Sequence, residues 1–144
     1  MSIVYTELTL KNAGDEAIAA AGIVKDYEVR QTTVQALVDT GAWTLVINEN
    51  IREELGLRIT GTDSGTLADG TKGSYAMAGP LEVIWKDRRT ICEAIVVPNA
   101  EDVLLGAIPL EALDLIVNPH EEKVMGAHGD KVLHYIYGIQ RRNA

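Results

Sequence analysis

The chain has 144 residues, a formal net charge of −8 and 47% hydrophobic residues, which predicts one soluble domain, 1–144, with a sizeable core. The acidic balance argues against nucleic acid as a partner, since phosphate binding needs a basic face. No apolar run reaches membrane-spanning length and the first residues are not a signal peptide, so no membrane association is expected. The lone Cys92 allows no intrachain disulfide and favours a reducing compartment, which indicates a cytoplasmic protein.

Short strands make up most of the predicted elements, because alternating or short apolar runs recur between turn residues. In chain order they are Ile3–Leu10, Val29–Val38, Trp43–Ile47, Tyr75–Trp85, Thr90–Val97, Val103–Gly106, Leu115–Val117 and Val132–Tyr137. Asp69-Gly70, within Leu67–Thr71, is a strong hairpin dipeptide. The basic run Lys86–Arg89 lies between two strands and is predicted to be a solvated hairpin turn.

A few segments have helical character. Glu16–Val24 is Ala-rich and could be a short helix or a loop. A short helix is predicted over Glu49–Gly56, since the preceding Asn48 is a good N-cap and glycine suits a helix C-terminus. Another is predicted over Pro109–Leu113. Many short strands with one or two short helices indicate a mainly β domain, either a closed barrel or a sandwich.

The most informative motif is Asp39-Thr40-Gly41-Ala42, which directly follows the apolar run Ala36–Val38. A carboxylate at the end of a buried strand is costly unless it is used, and no basic residue is near it in the sequence. The threonine supplies a hydroxyl, and the glycine allows a tight turn. The motif therefore suits acid–base chemistry, but a turn in which Asp39 bonds its own backbone two residues on fits it about equally well.

Further motifs follow in a fixed order, and they favour the catalytic interpretation of Asp39 over the simple turn. The hairpin Leu67–Thr71 lies after Asp39–Ala42, and Leu104-Leu105-Gly106 comes next, ahead of a helix. Over about 37–118 this arrangement resembles the retropepsin-like aspartic proteases, the single-domain relatives of pepsin that include the retroviral proteases. It looks most similar to their small bacterial and archaeal members. The resemblance implies a mainly β, closed-barrel retropepsin fold.

The resemblance also implies roles for individual residues. Asp39 would be the catalytic carboxyl. The active-site loop would be supported by Thr40, Gly41 and Ala42. The tip of a flap that closes over the substrate would be Ala68, Asp69 and Gly70. The loop-supporting motif would be Leu104, Leu105 and Gly106.

The chemistry of this class uses two carboxyls that share one proton, one acting as base on water and the other as acid toward the peptide carbonyl. The chain has one Asp-Thr-Gly and is too short for two such lobes. A homodimer with Asp39 from each copy, acting on a peptide or protein substrate, is therefore implied. No cofactor or metal is expected, and His120, His128 and His134 lack metal-ligand spacing.

Trp43 and Ala107 depart from the retroviral pattern, because those proteases commonly carry an Asp and an Arg there that pair with each other. Both members of that pair are absent together, which indicates a different packing solution and not a broken site. Two hypotheses about function stay open. The first is a homodimeric aspartic endopeptidase. The second is a non-catalytic dimeric β-barrel of the same fold that binds peptides or serves assembly. Cys92 is interpreted as a buried small side chain and not as a nucleophile.

Overall fold

The computed structural model describes residues 3–66, 70 and 72–129, which form nine strands and three short α-helices. The strands are β1 Tyr5–Asn12, β2 Gln31–Val38, β3 Leu45–Ile47, β4 Ile59–Thr66, β5 Lys72–Trp85, β6 Arg88–Val96, β7 Val103–Leu105, β8 Leu115–Asn118 and β9 Lys123–Gly126. The helices are α1 Ala13–Ala20, α2 Glu49–Leu55 and α3 Ala107–Ala112. Among the described residues, none of these helices is long and apolar enough to cross a membrane.

Six strands close into a barrel in the order β1–β2–β7–β3–β6–β5, with β5 returning to pair with β1. Closure depends on β5, whose 14 residues are enough to pair with more than one neighbour. Its first half pairs with β4, its second half with β1, and β6 lies along most of its length. A register shift between Ala78 and Leu81 marks the change of partner. Since β4 pairs only with β5, β4 lies outside the closed ring, and so do the first residues of β5, which pair with β4 alone.

The barrel is filled by aliphatic side chains. Those with no exposed surface include Leu8, Leu10, Leu45, Ile47, Leu81, Val83 and Leu105. A smaller cluster of Val46, Met77 and Ile95 lies beside this core. Partly buried residues from the segment after β2 and from β5, Ala42 and Tyr75, pack against it. The smaller cluster therefore joins the base of the β4–β5 hairpin to the loop that follows β2.

The predicted mainly β, closed-barrel fold is confirmed, with three helices among the described residues in place of one or two. Of the Ala-rich segment Glu16–Val24, the first five residues belong to α1 and the rest form the turn after it. The N-cap of α1, Asn12, accepts a hydrogen bond from the Asp15 amide. The predicted caps of α2 are present, because Asn48 Oδ1 accepts from the Ile51 amide at 2.9 Å and Gly56 has φ 62°. The strand predicted over Val132–Tyr137 lies outside the described residues.

The prediction of a solvated turn over Lys86–Arg89 is wrong for one residue. Arg88 is 3% exposed, and its guanidinium donates to the carbonyl oxygens of Leu113 at 3.2 Å, Asp114 at 2.7 Å and Gly129. Its partners lie 25 or more residues further along the chain, so the local sequence carries no sign of them. Arg88 thus joins the barrel to the segments around the β8–β9 sheet.

An ion pair joins α1 to the residue before β2. Arg30 Nε and Nη2 donate to the Asp15 carboxylate at 2.8 and 2.9 Å, and the Arg30 amide donates to it at 3.0 Å. The side-chain hydrogen bonds from Arg30 hold the pKa of Asp15 below its ordinary value of 3.8.

Asp15→Asn should lower the free energy of unfolding at pH 7 by about 1 kcal/mol, since solvent around the guanidinium limits the strength of the pair. The stability that a lowered pKa adds is complete above the pKa of the unfolded carboxyl and is lost as the pH falls through the pKa of the folded one. The difference between the two proteins should therefore be full at pH 7 and shrink as the pH falls below 3.8. Urea unfolding at pH 7 and pH 3 measures this, and an equal difference at both would contradict it.

Candidate active site

The candidate site is built at the end of β2. Its last residue, Val38, pairs in parallel with Leu105 of β7. One residue later, the Asp39 amide donates to the Leu105 carbonyl at 3.0 Å. This bond continues the β2–β7 pairing by one residue, so the backbone of Asp39 is held in place at the end of β2. The side chain is partly buried.

The loop over 39–44 turns tightly around the Asp39 carboxylate. The Gly41 amide donates to Asp39 Oδ1 at 2.9 Å, and the Ala42 amide donates to the Asp39 carbonyl at 3.1 Å. A Cβ atom at Gly41 would lie 3.0 Å from Oδ1, so a side chain there would crowd the carboxylate. Within the described part of the chain, Oδ2 accepts no hydrogen bond. The loop therefore is a turn in which Asp39 bonds the backbone two residues on, as one of the two interpretations of the motif predicts. This turn still leaves one carboxylate oxygen available for chemistry.

A second segment crosses this loop in close contact at Gly106. A Cβ atom there would lie 2.1 Å from the Thr44 carbonyl oxygen and 2.7 Å from that of Ala42. Only glycine allows this approach. At the start of α3, the Ala107 amide donates to the Ala42 carbonyl at 2.8 Å, and the Ile108 amide donates to the Trp43 carbonyl at 3.0 Å. The backbone of α3 therefore fixes the carboxyl-bearing loop.

The structure brings together two of the three groups of predicted site residues. Leu104 pairs with Leu37 of β2 and Val46 of β3, so the strand that carries it lies between the two strands that flank the Asp39 loop. Thr40 is exposed beside Asp39. The Leu104–Gly106 segment therefore touches the Asp39–Ala42 loop directly.

The strands of the β4–β5 hairpin pair as far as Thr66 and Lys72, and the predicted flap tip falls between these two residues in the sequence. Ala68 and Asp69 are outside the described residues. Gly70 is described and has a φ of 86°, a left-handed conformation that favours glycine.

Sequence reasoning missed the contact between the Asp39 loop and this hairpin. Trp43 Nε1 donates to Asp63 Oδ2 at 3.2 Å. Asp63 lies on β4 directly opposite Tyr75 on β5, and Tyr75 packs on the smaller apolar cluster together with Ala42. Trp43 and Asp63 are 20 residues apart, and no periodic pattern or motif connects them. No sequence signal could have found this pair.

The other groups singled out in the sequence form neither a reactive thiol nor a metal site within the described residues. Burial raises the pKa of the Cys92 thiol to about 11, so it stays protonated at neutral pH and suits packing more than nucleophilic attack. His128 Nδ1 lies 2.8 Å from Asp114 Oδ1, and His134 is outside the described residues. The described residues contain no group of three or more His, Cys, Asp or Glu placed to hold a metal ion.

A closed six-stranded barrel with this crossing of two loops defines the retropepsin-like fold. The chain belongs to the family described as "gag-polyprotein putative aspartyl protease", whose family model matches residues 25–112. That match contains both the Asp39–Ala42 loop and Leu104–Gly106. The family predicted from the sequence is therefore confirmed.

Comparison with solved structures supports the same fold. The crystal structure of the retroviral protease-like domain of Ddi1 from Leishmania major is similar, with a TM-score of 0.55 and 16% sequence identity. The similarity covers 87% of this chain and 88% of that one. At this identity the likeness concerns the fold alone. No curated protein matches the sequence.

Proposed function

We propose that the protein is an aspartic endopeptidase that works as a homodimer, with one Asp39 carboxyl from each copy. The observation that supports this most strongly is the position of Asp39, held by the Leu105 and Gly41 backbone in a chain of the aspartyl protease family. No other carboxyl hydrogen-bonds to Asp39 within the described ranges. The chemistry needs a second carboxyl, and a second copy would supply it on a twofold axis.

In the proposed reaction the two carboxyls hold one proton between them, because two carboxylates about 3 Å apart cannot both ionise. The ionised carboxyl takes a proton from water as the water oxygen attacks the peptide carbonyl carbon, and the protonated carboxyl donates to the carbonyl oxygen. In the second step the carboxyl that gained a proton gives it to the leaving nitrogen, and its partner takes one back from the diol. Activity should therefore fall at high pH, where the pair loses its shared proton.

The remaining predicted residues have supporting roles in this proposal. Thr40 would hydrogen-bond between the two active-site loops across the dimer. Leu104–Gly106 would keep the loop in place, and the hairpin tip Ala68–Gly70 would cover the bound peptide. Residues 1–144 would act as a single protease domain in the cytoplasm.

A digest of a peptide mixture between pH 4 and pH 7 tests the activity. Wild type is compared with Asp39→Asn and with Asp87→Asn, which removes a carboxyl from the exposed turn between β5 and β6. We expect cleavage by wild type and Asp87→Asn only. Cleavage by Asp39→Asn would contradict the proposal. So would a wild type that neither cuts any peptide nor binds a statine-type inhibitor, and peptide binding without cleavage would favour the non-catalytic barrel.

Dimerisation is expected to govern activity. Specific activity should rise with protein concentration and follow the fraction of dimer, because a single copy supplies only one of the two carboxyls. Sedimentation velocity at the concentrations of the assay measures that fraction. Full activity in a sample that sediments as a monomer would contradict the shared site.

A further inference from the structure

Three side chains meet beside the Asp39 loop on one face of the β4–β5 hairpin. Asp63 and Tyr75 are directly opposite each other in the antiparallel pair, so their side chains share a face. The Trp43 indole reaches that face and donates to Asp63 Oδ2 at 3.2 Å. Trp43 is only two residues after Gly41, which binds the Asp39 carboxylate. The result is a carboxylate with two aromatic neighbours, next to the candidate active site.

This group has unused binding capacity. Trp43 keeps 46% of its surface exposed, although most large aromatic side chains are better covered. Within the described ranges, the Asp63 carboxylate accepts a hydrogen bond only from the Trp43 indole, and no Lys, Arg or His there forms an ion pair with it. Lys72 is three residues from Tyr75 on the same strand and so lies on the opposite face. The negative charge of Asp63 is therefore without a countercharge from this part of the chain.

The position of the group is fixed by the backbone. The Trp43 carbonyl accepts a hydrogen bond from the Ile108 amide at 3.0 Å, so α3 holds this residue as well as the loop. Tyr75 is held by its packing on the smaller apolar cluster. A carboxylate beside two aromatic side chains on a fixed backbone has the chemistry to recognise a cation, since aromatic rings attract positive charge and the carboxylate pairs with it.

We propose that Trp43, Asp63 and Tyr75 form a substrate subsite that selects a lysine or arginine side chain of the peptide being cleaved. The inference rests on the proposed endopeptidase function, and it adds the substrate class. The aliphatic stem of the basic side chain lies against the aromatic rings, and its charged end pairs with Asp63. An acidic side chain at the same position is repelled by Asp63, and the net charge of −8 adds to that discrimination.

Cleavage kinetics test the subsite. In a peptide that the wild type cuts, each residue near the scissile bond is replaced in turn by lysine, norleucine or glutamate. At one position, we expect kcat/KM for the lysine peptide to exceed that for the norleucine peptide about tenfold, as for a hydrogen bond to a charged group. Asp63→Asn should lower the ratio of kcat/KM for the lysine peptide to that for the norleucine peptide from about ten to about two. The fall should come mainly from the lysine peptide, while kcat/KM for the norleucine peptide changes less. Asp63→Lys should favour glutamate.

Matched variants separate recognition from a structural role. Asp87→Asn removes the same charge from an exposed turn and should keep the tenfold ratio. Trp43→Phe keeps a ring but loses the indole N–H, so it should retain more of the ratio than Trp43→Leu. A ratio that survives Asp63→Asn, or the absence of any position that prefers lysine, would overturn the subsite.

Binding tests the same inference without catalysis. Titration calorimetry with the Asp39→Asn variant compares capped lysine and norleucine peptides. The lysine peptide should bind about tenfold more tightly, and the advantage should shrink in 0.5 M NaCl. Equal affinities, or no binding of either peptide, would reject the subsite. If Asp39→Asn binds the lysine peptide more tightly but the wild-type protein cuts no peptide, the endopeptidase proposal fails and the subsite stands.

Discussion

Asp39→Asn should reduce kcat/KM for peptide hydrolysis on the order of 10³-fold or more. An amide cannot exchange the proton that the proposed mechanism passes between water, carboxyl and leaving group. Asparagine has nearly the same shape as aspartate, and its side-chain oxygen can still accept from the Gly41 amide, which lies 2.9 Å from Asp39 Oδ1. The loop should therefore stay in place while the chemistry is lost.

Thermal unfolding of the same sample is the necessary control. We expect the Tm of Asp39→Asn to stay within about 3 °C of wild type, since no buried packing changes. Asp87→Asn should match wild type in both activity and Tm. An Asp39→Asn protein that keeps more than a tenth of wild-type activity would show that another group performs the hydrolysis.

Gly106→Ala should cause a large loss of stability. The added Cβ would lie 2.1 Å from the Thr44 carbonyl oxygen and 2.7 Å from the Ala42 carbonyl oxygen, which are backbone atoms and cannot swing away. Relief would require β7 and the Asp39 loop to separate. We expect the free energy of unfolding to fall by about 3 kcal/mol or more, with loss of activity in any protein that folds.

Gly61→Ala is the matched control for that measurement. A Cβ atom at Gly61 meets no atom within 4 Å, and the residue lies in β4. Urea unfolding should place Gly61→Ala within about 1 kcal/mol of wild type. Similar losses for both variants would show that the close crossing at Gly106 has no special importance for the fold.

Local signals were enough to predict the elements that carry their own caps and periodicity. Helix α2 is an example, because Asn48 and Gly56 mark its two ends in the sequence and cap it in the structure. Strand β4 was not predicted, since Ile59–Thr66 is rich in Gly, Thr, Ser and Asp and has no apolar alternation. It is formed because β5 offers it a paired edge, which is a tertiary effect.

The candidate site divides in the same way. The Asp39 loop and Leu104–Gly106 could be identified from short motifs in a fixed order. Outside the site, the burial of Arg88 could not be predicted, because its carbonyl partners come from residues after α3. The contact of Trp43 with Asp63 also depends on how the hairpin folds over the loop. Contacts between distant segments leave no mark in a single sequence.

Subunit mixing tests most directly the central claim that two copies share one active site. A fixed amount of wild type is equilibrated with increasing amounts of Asp39→Asn before the peptide is added. If each active dimer needs two Asp39 carboxyls, random pairing should lower activity to about one half at equal amounts and to about one tenth at ninefold excess. Activity that stays constant at every ratio would contradict the shared site and assign catalysis to a single chain.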